Sequence, residues 1–216
     1  MDNTLSKLEK LKDEHIIFGQ KTIALANEKI FPCDALYLSV LNRSLEVLDG
    51  FLLLSKNGNY GCCMALLRIQ LDNILRFYGV LLTKDPHRTA NSIMQGKQLN
   101  KIKDKKGNLL KDFYLVDALS KQNDWVTRVY KLSSGYIHLS DQHIFQMLER
   151  TEVVSNGDRN FYIGSDDEHI GEKHKIELVK AFTVITQGIF KLFNEWESIS
   201  KGYDEVALEK EYEVHV

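Results

Sequence analysis

The chain has 216 residues, 44% of them hydrophobic and 27% charged, which is the composition of a folded domain and excludes a disordered segment. Its 28 basic and 30 acidic side chains leave a net charge of −2, which excludes a protein that coats nucleic acid or membrane with its whole surface; such binding has to be local. No apolar run is long enough to span a membrane, the opening MDNTLSKLEKLKDEH is polar where a secretion signal is apolar, and Cys33, Cys62 and Cys63 offer no C-x-x-C spacing, so a cytoplasmic protein with reduced thiols is expected.

With Pro32 and Pro86 as the only prolines, the chain has room for long helices, and one all-α domain, an antiparallel bundle with a small β-hairpin insertion, is expected over 1–216. The first helix is expected from about Thr4 to Ile30, opened by Ser6 and Glu9 as a capping box and closed by Phe31-Pro32. Asp34 then caps a helix with Leu38, Leu41, Leu45, Leu48 and Leu52 on one face, and Asn57-Gly58-Asn59 reverses the chain. From about Tyr60 to Thr83, Met64, Leu67, Leu71, Ile74, Leu75, Tyr78 and Leu82 form a stripe wide enough to pack against two neighbours. Asp85-Pro86 reads as the N-cap and first position of a short helix to about Met94.

Residues 97–111, KQLNKIKDKKGNLLK, hold six lysines and no apolar period, which marks an exposed connector. A short helix is expected over Asp112 to Leu119. Another, capped by Asp124 and ending near His138, turns Trp125, Val129, Leu132 and Tyr136 to the core. The Ile, Phe, Val and Tyr content of His143 to Val154 and Asn160 to Gly164, with Ser155-Asn156-Gly157-Asp158 between them, predicts the hairpin. The last long helix, from Ser165 or Gly171, places Ile176, Val179, Phe182, Ile185, Ile189, Phe193 and Trp196 in a near-heptad series, and the charged tail from Tyr203 forms a final short helix or frays.

Four constellations could carry chemistry. Arg68, Asp72 and Arg76 stand four apart on one helix face, where the aspartate bridges two guanidiniums in an ion-pair row or the arginines grip an anion. The run from Tyr130 to Ser140 is dense in hydroxyls and contains His138, a general acid or base by its ordinary pKa or a helix-end cap. Asp166, Asp167, Glu168, His169, Glu172 and His174 resemble metal ligands only as a string. His169 and His174 are five apart, off one helical face, and acidic residues suit a helix start, so no metal site and no cofactor is assigned. Lys97, Lys101, Lys103, Lys105 and Lys106 could meet nucleic-acid phosphates, without an aromatic residue among them to stack on bases. The common nucleotide-binding and hydrolase motifs are absent from the sequence.

Three stretches, LLRIQLDNILRFY from Leu66, MQGKQLNKIKDKKGNLLKDFYL from Met94 and YKLSSGYIHLSDQHIF from Tyr130, are similar to an uncharacterised bacterial all-helical family distantly resembling HEPN domains. The resemblance covers roughly the central half of the chain. It implies a helical bundle that forms a homo-oligomer and acts in toxin, abortive-infection or nucleic-acid-linked settings, with an RNA or protein partner. Active HEPN proteins carry Arg followed four to six residues later by His for metal-independent RNA cleavage. Here nine residues separate Arg128 from His138, and only Lys131 stands at the right distance. The resemblance thus implies a binding module; a ribonuclease would have to assemble His138 with Arg68 or Arg76 in space.

Overall fold

A computed structural model of the protein describes residues 2–27, 29–155, 157–164 and 170–212. Among these, the order is α1 (Asp2–Glu9), α2 (Leu11–Leu25), α3 (Pro32–Lys56), α4 (Tyr60–Leu81), α5 (Pro86–Met94), α6 (Asp112–Ser120), α7 (Trp125–Ser134), α8 (Asp141–Glu149), β1 (Glu152–Val153), β2 (Arg159–Asn160), α9 (Glu172–Ser200) and α10 (Glu205–Glu211). The fold is the expected all-α bundle with one small hairpin. No described helix is long and apolar enough to cross a membrane.

The long helices α3, α4 and α9 make the core. Asn59 caps α4 by accepting the Cys62 N–H (3.1 Å), so α3 and α4 run antiparallel across the 57–59 turn, and the wide stripe of α4 packs on α3 and α9. Phe51 of α3 stacks on Phe182 of α9 at 4.0 Å between ring centroids, while the Tyr37 hydroxyl donates to the Ile189 carbonyl (3.2 Å). A row of buried polar groups crosses the same interface: His15 meets Ser44 (2.8 Å), and the Gln70 amide donates to Ser44 (2.7 Å) and Thr186 (2.9 Å). Each member has a partner, as burial demands, and the row ties α2, α3, α4 and α9 into one register.

Several local expectations change. The first helix is two helices divided at Lys10, and the second stops at Leu25, where Asn27 adopts φ 48°, a left-handed turn that asparagine tolerates; Ser6 lies inside α1, not at its N-cap. Pro32, not Asp34, opens α3. Asp34 sits three residues inside and accepts the Phe31 N–H (3.2 Å). α7 stops at Ser134 rather than near His138, Asp124 makes no side-chain cap, and α7 buries Val126, Val129 and Ser133 while Leu132 is half exposed. The expected strand from His143 is instead helix α8 as far as Glu149. Ser140 precedes it, its N–H donating to His143 Nδ1 (3.4 Å), and Asp141 supplies the acidic first turn. The hairpin is therefore only two residues per strand, Glu152 pairing with Asn160 and Val153 with Arg159. Asn156 of its turn lies outside the described residues.

Candidate nucleic-acid interface

Arg68, Asp72 and Arg76 come together, and a second carboxylate joins them. Asp72 Oδ1 lies 3.0 Å from Arg76 and 3.9 Å from Arg68, while Asp112, the first residue of α6, reaches Arg76 at 3.0 Å and Arg68 at 3.4 Å. Arg43 of α3 approaches Asp72 at 3.4 Å and donates to Asn73 (2.6 Å), and the Arg68 guanidinium lies 4.5 Å from the Tyr130 ring centroid on α7. The cluster thus clamps α3, α4, α6 and α7 together, with both aspartates taken up by arginines. Arg68 is only 12% exposed, so its partners stand in for water. Asp72→Ala is expected to cost about 2 kcal/mol of stability in urea unfolding, between the values for surface and buried pairs, and to leave nucleic-acid binding unchanged.

His138 is exposed on the segment between α7 and α8; the described contacts of Arg68 and Arg76 go to Asp72, Asp112 and Tyr130. The serine hydroxyls around it turn back on the main chain: Ser133 donates to Val129, Ser134 to Tyr130 and Ser140 to Gly135. No group of three His, Cys, Asp or Glu able to hold a metal occurs among the described residues, and Asp166, Asp167, Glu168 and His169 lie outside them.

The lysine connector is exposed at its lysines and built at its base. Leu99 and Leu110 are buried, and Leu99 and Leu115 close on α4 at Gly79, where a Cβ would lie 3.1–3.3 Å from their methyl groups. The Lys105 N–H donates to the Leu82 carbonyl at the end of α4 (3.1 Å), and Gly107 takes the positive φ of 91° that the turn requires. Asp104 organises the loop: it accepts the Lys106 and Asn108 N–H groups (2.9 and 2.8 Å), the Asn108 amide and the Tyr114 hydroxyl. Burial opposes ionisation of Asp104, but these hydrogen bonds outweigh it and hold its carboxyl down at about 2.

The loop and α5 border an open cleft of about 640 Å³. Lys97, Lys103, Lys105 and Lys106 line it together with Lys84 and Arg88, so six cations converge there; Lys101 stays outside. Two carboxylates share the cleft, and both have work inside the fold. Asp104 holds the loop; Asp85 caps α5 through the Arg88 N–H (3.1 Å) and accepts the Tyr203 hydroxyl (3.1 Å). Such a cleft can hold a string of phosphates, and among the described residues no aromatic ring lines it to stack on bases.

Sequence reasoning missed Lys84 and Arg88, although they flank the recognised Asp85-Pro86 helix start. It also missed Asp112 and Arg43 as partners of the arginine row, since nothing in sequence spacing announces a contact between helices. No family model matches the chain, and neither does any curated protein or solved structure with which it was compared.

Proposed function

We propose that the protein is a HEPN-like helical module that binds the phosphate backbone of RNA in the basic cleft between α5 and the 97–107 loop. The observation that carries this is the set of six cations that line one cleft, four of them on a loop anchored from below, beside carboxylates engaged within the fold. A loop held in place by Leu99, Asp104 and Leu110 orders its lysines before binding, which lowers the entropic cost of gripping a chain of anions. The all-helical bundle is the architecture that the resemblance to HEPN domains implies, and RNA is the polyanion that the resemblance favours.

Binding without cleavage fits the arrangement better than a ribonuclease built from His138 with Arg68 or Arg76. Both guanidiniums lie against Asp72 and Asp112, where they lack the unpaired positive charge that a transition state would need. The experiment is fluorescence anisotropy of labelled single-stranded RNA with the parent and with the triple variant Lys103→Glu, Lys105→Glu, Lys106→Glu. The variant is expected to bind about tenfold more weakly or worse. Equal affinity in a folded variant would sink the proposal.

A further inference from the structure

We infer that the α8-hairpin arm is a self-association surface, on which a second copy of this chain seats its own α8 in the groove between α7, α8 and α9. The described residues expose twenty large hydrophobic side chains, and eleven of them fall between Leu132 and Ile163. Leu139 is 89% exposed, Phe145 60% and Ile163 95%. Such a concentration of exposed apolar side chains in one stretch of the chain marks an interaction surface.

The arrangement of α8 says what covers it. No residue of this helix is buried: Phe145 lines the groove beside Gln142, Gln146 and Glu149, while Ile144 and Leu148, one turn apart, are exposed. The helix is amphipathic, and its apolar residues Ile144, Phe145, Met147 and Leu148 are all exposed, so its apolar face has no covering within the described residues. Beside it lies a groove of about 1050 Å³ whose floor includes Met64, Leu67, Val129, Leu178 and Ala181. One molecule therefore carries both an uncovered helix and an unfilled groove, and a two-fold pairing satisfies both at once, because an isologous contact presents each surface to its complement.

Charge agrees with this pairing. From Asp141 to Val153 the arm has Asp141, Glu149 and Glu152 against Arg150, a net negative charge. The groove's opposite walls present Arg128, Lys175 and Lys180 against Glu177, a net positive charge. The acidic arm of one copy meets the basic wall of the other, which fixes the orientation of the pair.

The test is solution mass by light scattering at tens of micromolar protein, for the parent and for Phe145→Glu and Ile163→Glu, with circular dichroism to verify that each stays helical. Both residues are mostly exposed, so the substitutions spare the core. The expected result is a parent at twice the monomer mass and at least a tenfold weaker dimer in each folded variant. A monomeric parent at these concentrations overturns the inference. So does a dimer that neither folded variant weakens, because the contact then lies on another face.

Discussion

Trp196→Ala is expected to lower the unfolding free energy by about 4 kcal/mol, which is large against the total stability of a domain of this size. Trp196 is fully buried in α9. Its Nε1 donates to Asp34 Oδ1 at 2.8 Å, and its ring meets His87 edge to face at 5.0 Å. Truncation leaves a void under α3 and α5 and removes a donor from a buried carboxylate. Trp196→Phe separates the two effects: it keeps most of the volume, removes only the donor and should cost about 2 kcal/mol. Urea denaturation followed by circular dichroism gives both values. A loss below about 1 kcal/mol for alanine would mean that the α9 core is not packed as described.

The second large effect concerns pH, and it is hidden in the parent by cancellation. Asp34 is raised to about 6, because burial penalises its charge more than the hydrogen bonds from Trp196 and Phe31 compensate. His87, whose Nδ1 accepts the Cys33 N–H (3.2 Å), is lowered to about 4 by burial, with Asp85 opposing. The signs are opposite. Asp34 contributes stability that is whole below 3.8 and is lost as the pH rises through about 6; His87 contributes stability that is whole above 6.5 and is lost as the pH falls through about 4. A tenfold change in proton affinity on folding is worth about 1.4 kcal/mol, so each group accounts for about 3 kcal/mol.

Between about pH 4 and 6.5 the two contributions offset each other. Asp34→Asn uncovers the histidine, so relative to the parent its stability should rise by about 3 kcal/mol across that window. His87→Gln uncovers the carboxylate, and its stability should fall by a similar amount. Urea titrations of the three proteins across the window measure these slopes. Slopes of the same sign in the two variants would contradict the account.

The long core elements could be read from the sequence because their signals are local. The stripes of α4 and α9, the Asn59 turn and the Asp85-Pro86 start each rest on spacing or backbone chemistry that needs no partner. Errors gathered where two local signals compete. His143 to Glu149 has strand-like composition, yet Ser140 and Asp141 ahead of it start a helix. At Pro32 the ring sets the first helical position, so Asp34 caps from inside instead of before.

The candidate site divides in the same way. The lysines of the 97–106 stretch were visible as a charge run, and the Arg68, Asp72 and Arg76 row as a helical spacing. What those groups do depends on residues far along the chain. Asp112 turns the arginine row into a clamp between helices, and Lys84 and Arg88 turn a lysine loop into one wall of a cleft. Leu99, Ile102, Leu109 and Leu110 are scattered through a polar stretch without a period, and the buried pair Leu99 and Leu110 fixes that loop to the bundle.

The most direct measurement of the central claim is the salt dependence of RNA binding by the parent protein. If four to six cations of the cleft each neutralise a phosphate, the logarithm of affinity should fall against the logarithm of salt concentration with a slope of about −3 to −4. The Lys103, Lys105 and Lys106 triple charge reversal should flatten that slope by about 2. A parent that fails to bind RNA at low salt, or a slope that the triple variant leaves unchanged, would contradict the assignment of the cleft.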